Sequence, residues 1–220
     1  MSPHFHLSRK GREKTVIMSM KIGVLGGTFD PIHRGHLAIA EEARARLELA
    51  EVYFVPAART PLKEEDTILA AEHRVRMVRL AIADYPYFKL STVEIDRPGI
   101  SYTVDTIAQL RDKLGAENEL FFIIGWDSLA QLPRWREPKR IIQMCCLVSV
   151  PRPGYSLPDR KSLEVAIPGL SQRLLVLDKP EIDISATEIR ERAARGLSIS
   201  HLVPEPVAEY IRKQKLYSRG

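Results

Sequence analysis

From Lys21 onward, short apolar runs rich in branched and aromatic residues alternate with longer stretches whose apolar positions recur every three to four residues. KIGVLG (21–26), EVYFVP (51–56), ELFFIIG (119–125), CCLVSV (145–150) and RLLVLD (173–178) predict strands, and FKLSTVEI (88–95) predicts a strand or a bent strand pair. GHLAIAEEARARLEL (35–49) predicts a helix with Leu37, Ala40, Ala43 and Leu47 on one stripe. AAEHRVRMVRLAIAD (70–84) and SYTVDTIAQLRDKLG (101–115) predict two more, the second ended by Gly115. A short helical stretch contains Trp135, SATEIRERAARG (185–196) opens on serine and closes on glycine, and a last helix follows Pro204. Strands with uncharged centres, separated by helices, imply a parallel sheet covered on both faces, hence an α/β doubly wound fold. Such sheets bind ligands beyond the carboxyl ends of their strands, where the strand order reverses. The loops GGTFD, PAARTPLK and GWDSL and the segment ISATEIR all fall on that expected rim.

At 220 residues and 45 % hydrophobic content, the chain has material for one domain with a substantial core. No apolar run reaches the roughly 18 residues of a membrane span, and the polar start MSPHFHLSRKGREK lacks the apolar block of a signal peptide. A cytoplasmic protein without membrane contact is expected. The first 19 residues have charge without periodicity and are read as a disordered arm or an upstream-start extension, with a single domain over 20–220. That arm holds Arg9, Lys10, Arg12 and Lys14 against Glu13, a net +3, so only +2 of the formal +5 belongs to the body. This is too little for a polyanion footprint, and no nucleic-acid partner is expected. Cys145 and Cys146 are adjacent in an apolar run, which suits buried reduced thiols better than a disulfide or metal framework. Neither composition nor charge specifies an oligomeric state.

The candidate chemistry concentrates in GGTFDPIHRGHL, Gly26 to Leu37. It is neither a Walker loop nor G-x-G-x-x-G. Gly26 and Gly27 let the backbone approach a ligand, Thr28 adds a hydroxyl, Asp30 and Pro31 bend the chain, and His33 and His36 fall on the first turn of a helix. Three uses fit: two imidazoles on a metal, two donors to a phosphate, or a helix start that holds both without function. A metal would need further ligands, and His73 and His201 are distant with no H-E-x-x-H pattern. In SATEIR, Ser185 and Thr187 offer hydroxyls at a helix start with Arg190 one turn in, a cradle for phosphates or a plain serine cap followed by surface charge. Asp127, two residues past Gly125, could cap the next helix or accept from a ribose hydroxyl. Trp135 lies among Pro133, Arg134, Arg136 and Pro138, an odd setting for a core residue. His73 and Arg74 open a helix with Met77 and Leu80 inside, and His73 is read as structural or supporting.

Together these pieces resemble the nucleotidyltransferase superfamily with H-x-G-H and S/T-x-x-R motifs, and within it the bacterial nicotinate-nucleotide adenylyltransferases. The matching segments are GGTFDPIHRGHL, HRVRM, ISYTVDTI, FFIIGWDSLAQLPRW, VPRPGY, ISATEIR and LVPEPVAEYIRKQKLY, in family order from residue 20 to residue 217. The resemblance implies a Rossmann-like nucleotidyltransferase fold and transfer of an adenylyl group from ATP to nicotinate mononucleotide, with release of pyrophosphate. It implies that His33 and His36 are catalytic. It places ATP on Gly26, Gly27, Phe29, His36, Gly125, Asp127, Ser185, Thr187 and Arg190. Nicotinate mononucleotide falls to Thr28, Lys63, Tyr102, Thr103, Trp135 and Arg152, with Trp135 stacked on the pyridine ring and the Tyr102–Thr103 segment reading its carboxylate. Magnesium would come with ATP rather than on protein ligands. The chain departs from the family after the second strand, where Ala57, Ala58, Arg59, Thr60, Pro61, Leu62 and Lys63 replace an asparagine and a Pro-Pro-His-Lys or Pro-Pro-His-Arg run. The rival readings are a sister enzyme using nicotinamide mononucleotide or phosphopantetheine, a silent nucleotide sensor, and an RNA-binding protein using the basic arm.

Overall fold

The computed structural model describes residues 19–58, 68–180 and 182–218. Six strands, β1 (Lys21–Gly27), β2 (Glu51–Pro56), β3 (Phe88–Leu90), β4 (Glu119–Gly125), β5 (Cys146–Val150) and β6 (Leu174–Val176), make one parallel sheet ordered β3-β2-β1-β4-β5-β6. The order reverses between β1 and β4. Central strands send alternate residues to opposite faces. Leu120, Phe122 and Ile124 of β4 enter one core cluster while Phe121 and Ile123 enter the other, and in β1 Ile22 and Val24 oppose Leu25. A doubly wound α/β sheet is therefore the architecture, with a core on each side.

The cluster that holds Leu25, Phe121 and Ile123 is covered by α1 (Arg34–Leu47), α2 (Ala71–Ala81), α7 (Ala186–Ala194) and α8 (Glu205–Lys213). Helices α3 (Thr103–Leu114), α4 (Trp126–Gln131), α5 (Pro138–Met144) and α6 (Arg160–Ala166) cover the second. The stripe expected on α1 is the buried one: Leu37, Ala40 and Ala43 are in the core and Leu47 packs against it. Cys145 is buried and Cys146 partly so, both as free thiols. Among the described residues no helix is long and apolar enough to cross a membrane.

Two expectations are corrected, and one helix is added. The strand expected over 88–95 stops at Leu90: Ser91 N–H still reaches Phe54 O at 2.9 Å, and then Asp96 N–H turns back to Thr92 O and Thr92 Oγ1 donates to Asp96 at 2.7 Å. Local side-chain bonding takes over where ladder pairing ends. Trp135 lies just past a short 3₁₀ turn, Leu132–Arg134, in extended backbone, and not within a helix. Pro138 and a left-handed Glu137 (φ 50°) restart the chain as α5. Helix α6 was not expected at all, although its Asp159 N-cap accepts from Ser162 N–H at 3.0 Å.

The buried guanidinium of Arg74, 2 % exposed, holds the base of the site together. It donates to the carbonyls of Leu69 (2.9 Å), Thr28 (2.8 Å) and Ala57 (2.8 Å), tying the loops after β1 and β2 to the start of α2. Burial pushes its pKa down, and the nearby Asp30 and Glu94 act in the opposite direction. His73 beside it meets the Tyr210 hydroxyl at 2.8 Å, joining α2 to α8, in line with a structural role. Replacing Arg74 by methionine keeps the volume and leaves three carbonyls without their donor, so unfolding in urea should show a loss of roughly 2–4 kcal/mol. A loss under about 1 kcal/mol would mean that other donors satisfy those carbonyls.

Candidate active site

Beyond the carboxyl ends of β1 and β4, where the strand order reverses, the chain lays down its glycines and histidines. A Cβ on Gly27 would fall 3.1 Å from the ring of Phe29, and one on Gly26 would fall 3.5 Å from Phe122. Phe29 has left-handed backbone (φ 51°), which is costly for a bulky residue, and its ring is 1 % exposed. Burial of that ring against Phe54 (5.9 Å) and the edge of His36 (5.0 Å) offsets the strain. The Phe29 side chain thus belongs to the core, and only its backbone can face a ligand.

His33 is the N-cap of α1, and its ring stacks on that of His36 with centroids 3.7 Å apart and planes 27° from parallel. The His33 backbone N–H donates to His36 Nδ1 at 3.2 Å. An Nδ1 that accepts carries no proton, so neutral His36 has its proton on Nε2 and presents a donor there. Both imidazoles are held neutral at pH 7. Burial, and then the charge of Arg152, lower the pKa of His33 to about 4; burial, the neighbouring His33 and Arg152 hold His36 well below its usual value.

Arg152, just beyond β5, lies by the histidines and pairs with Asp127 at 3.0 Å, Nη1 to Oδ2. Asp127 does not cap α4; Gly125 occupies the cap position. The carboxylate folds back over Gly125, where a Cβ would fall 2.5 Å from Asp127 Oδ1. Among the described residues, buried Asp127 Oδ1 and His33 Nδ1 have no hydrogen-bond partner. Ser185 takes the N-cap position of α7, but its exposed side chain makes no capping bond. Arg190, one turn on, receives support from both sides: Nη2 donates to Thr187 Oγ1 (3.2 Å) and Nη1 to the Asp30 carbonyl (2.8 Å). Hence α7 is fastened to the turn that carries the histidines.

A second lobe lies on the α3 side. Tyr102 takes the N-cap position of α3 without a side-chain capping bond, Thr103 is the first residue of the helix, and the Arg136 guanidinium sits 4.7 Å above the Tyr102 ring. Trp135, half-buried, packs edge-on against Phe122 at 6.3 Å. Phe122 therefore connects Trp135 to Gly26, a link for which the sequence has no signal. The first turn of α3 is braced by Thr106, whose hydroxyl donates to Glu94 (2.7 Å) and accepts from Arg97 (3.1 Å). Thr28 lies beside Gly27, its carbonyl held by Arg74. Lys63 lies outside the described residues. Among the described residues no three His, Cys, Asp or Glu side chains converge as a metal site would require.

A cytidylyltransferase-like family model matches residues 24–192. A probable nicotinate-nucleotide adenylyltransferase of Dehalococcoides mccartyi is 49 % identical over 203 residues, 92 % of this chain and 100 % of its own length. One from a Roseiflexus species is 49 % identical over 199 residues, 90 % of this chain and 98 % of its own. Among solved structures, Plasmodium falciparum nicotinic acid mononucleotide adenylyltransferase complexed with NaAD superposes with a TM-score of 0.69 at 18 % identity, covering 90 % of this chain and 97 % of its own, a likeness of fold.

The depressed histidines give the fold a dependence on pH. Between about 6.5, the usual value, and about 4 the unfolded chain binds a proton at His33 that the folded chain refuses, so stability falls as the pH drops through that window. The loss attributable to His33 should approach about 3 kcal/mol. Urea titrations of wild type and His33→Gln from pH 7.5 to pH 4.5 check it. The variant should lose less stability than wild type, and parallel curves would show that His33 charges freely in the folded state.

Proposed function

The chain belongs to the cytidylyltransferase-like family and, by its close relatives, to the nicotinate-nucleotide adenylyltransferases, and from that premise we propose the way in which its residues transfer an adenylyl group from ATP to nicotinate mononucleotide. An oxygen of the mononucleotide 5′-phosphate attacks the α-phosphorus in line. The bond from that phosphorus to the oxygen bridging to the β-phosphate breaks, pyrophosphate leaves with the electron pair, and nicotinate adenine dinucleotide remains. The nucleophile is already anionic, so the protein's work is positioning and charge stabilisation.

The observation that carries this reading is the neutral histidine stack at the start of α1, with Nδ1 of His36 engaged by backbone and Nε2–H free to donate. A donor fixed before reaction stabilises charge that grows on the α-phosphoryl oxygens without the cost of reorienting it. Arg152 adds positive charge beside the stack while paired to Asp127. Gly26 and Gly27 let the chain's backbone approach the nucleotide, the half-buried Asp127 accepts from the ribose, and Ser185, Thr187 and Arg190 at the start of α7 take the outer phosphates. Their mutual placement supports this, since Arg190 is bonded to the same turn that leads into His33. Magnesium we assign to the triphosphate, whose oxygens supply the hard anionic ligands the ion prefers. On the α3 side, unpaired N–H groups of the first turn favour the nicotinate carboxylate, and Trp135 offers a face to the ring.

Pyrophosphate release from ATP that depends on added nicotinate mononucleotide tests the reaction. His36→Ala should lower kcat about a hundredfold, the scale of one lost preorganised donor, with the fold intact. An amide in place of the ring carboxylate would bring donors against donors, so nicotinamide mononucleotide should give a kcat/KM at least about fivefold lower. Wild-type turnover in His36→Ala would remove the stack from the chemistry, and equal kcat/KM for acid and amide would remove the selectivity.

A further inference from the structure

One buried carboxylate beside the site has no part in this chemistry. Asp30, 5 % exposed, lies between left-handed Phe29 and the residues leading into His33, and both of its oxygens are engaged from far along the chain. Oδ1 accepts from the Tyr217 hydroxyl at 2.7 Å and Oδ2 from the Leu69 N–H at 3.3 Å, while the Asp30 carbonyl accepts from Arg190. Tyr217 comes after the last helix, where two non-glycine residues, Lys215 (φ 51°) and Tyr217 (φ 65°), take left-handed backbone. Such backbone is unfavourable for both, and a chain with no further task for Tyr217 could continue outward. Instead Leu216, 8 % exposed, is anchored in the core, its N–H on Ile211 O at 3.0 Å, and the next side chain turns onto Asp30. Burial and the Asp30 carboxylate raise the Tyr217 pKa, so the group is a hydroxyl that donates.

We propose that Tyr217 is a positioning residue for adenylyl transfer: through Asp30 its hydroxyl fixes the turn that sets the histidine stack and the carbonyl to which Arg190 is bonded. The proposal rests on the reaction assigned above. Tyr217 touches no substrate in this scheme; it limits how far the turn can move. A misplacement well under an ångström at the reacting phosphorus lowers turnover more than it lowers binding, because other contacts hold the substrates.

The test is a set of steady-state measurements on full-length variants at a temperature where circular dichroism shows each one folded. Tyr217→Phe should lower kcat about tenfold and leave KM for ATP and for the mononucleotide within about twofold. Asp30→Asn, whose amide can accept from Leu69 and donate to the Tyr217 oxygen, should keep more turnover than Asp30→Ala. In the Asp30→Ala background Tyr217→Phe should cost nothing further. A Tyr217→Phe kcat within twofold of wild type overturns the proposal, and so does an equal loss in both backgrounds, since the hydroxyl would then act elsewhere. If Tyr217→Phe does not fold, the Asn and Ala comparison at Asp30 decides. The imidazole Cε1–H resonances of His33 and His36 follow the turn without substrate: a shift in Tyr217→Phe supports the positioning role and unchanged resonances refute it. A wild-type protein inactive with the mononucleotide would refute the reaction, and those resonances would still decide the role of Tyr217.

Discussion

Two imidazoles stacked 3.7 Å apart at a helix start beside an arginine favour the neutral form of both rings, each with a single N–H proton. Much of the site can be traced to that constraint. Burial of His33 keeps it neutral, and the His33 N–H on His36 Nδ1 removes one of the two places where His36 could hold a proton. A charged imidazole would bind phosphate more strongly in the ground state, whereas a neutral, aimed N–H contributes most where charge develops. The adjacent cationic charge comes instead from Arg152, whose pairing with Asp127 keeps it near the stack before substrate arrives.

The turn that presents the histidines is short and strained, and its own residues cannot hold it. Phe29 occupies a backbone region that favours glycine, and the turn is tied by four residues from three parts of the chain: Arg74 on Thr28 and Leu69 on the Asp30 carboxylate, both at the start of α2, and Arg190 and Tyr217 on Asp30. Each tie is a hydrogen bond to a group that would otherwise be buried and unpaired, so loosening one leaves a cost that the others do not absorb. This is how a loop acquires the precision that a helix or strand has by default.

The glycines divide the labour in two ways. A Cβ at Gly125 would press on the Asp127 carboxylate folded over it and one at Gly27 on the Phe29 ring, so each glycine makes room for a neighbouring side chain. Phe122, under Gly26 and against Trp135, makes the glycine turn and the α3 side parts of one packed surface. A ring in the core thereby joins the two lobes of the candidate site.

The alternation of apolar runs and helical stripes was enough to specify the parallel, doubly wound sheet, because strands covered on both faces cannot carry charge at their centres and β4, ELFFIIG, shows that directly. Local signals also marked the segments of the candidate site, since the glycines, the histidine pair and the SATEIR helix start are contiguous motifs that the fold brings together. The chain alone left open whether Asp127 caps a helix, whether Ser185 caps one, and which proton state the histidines hold. Those depended on burial and on Arg152, residues apart in sequence and adjacent only after folding. Arg74, Phe122 and Tyr217 lie in segments that match the family, but their contacts had no sequence signal, since composition and periodicity carry no information about partners such as Tyr217 and Asp30, 187 residues apart. The sequence determined which groups reach the rim; the tertiary structure alone decided their protonation, their aim and what holds them, because desolvation and long-range hydrogen bonds exist only in the packed chain.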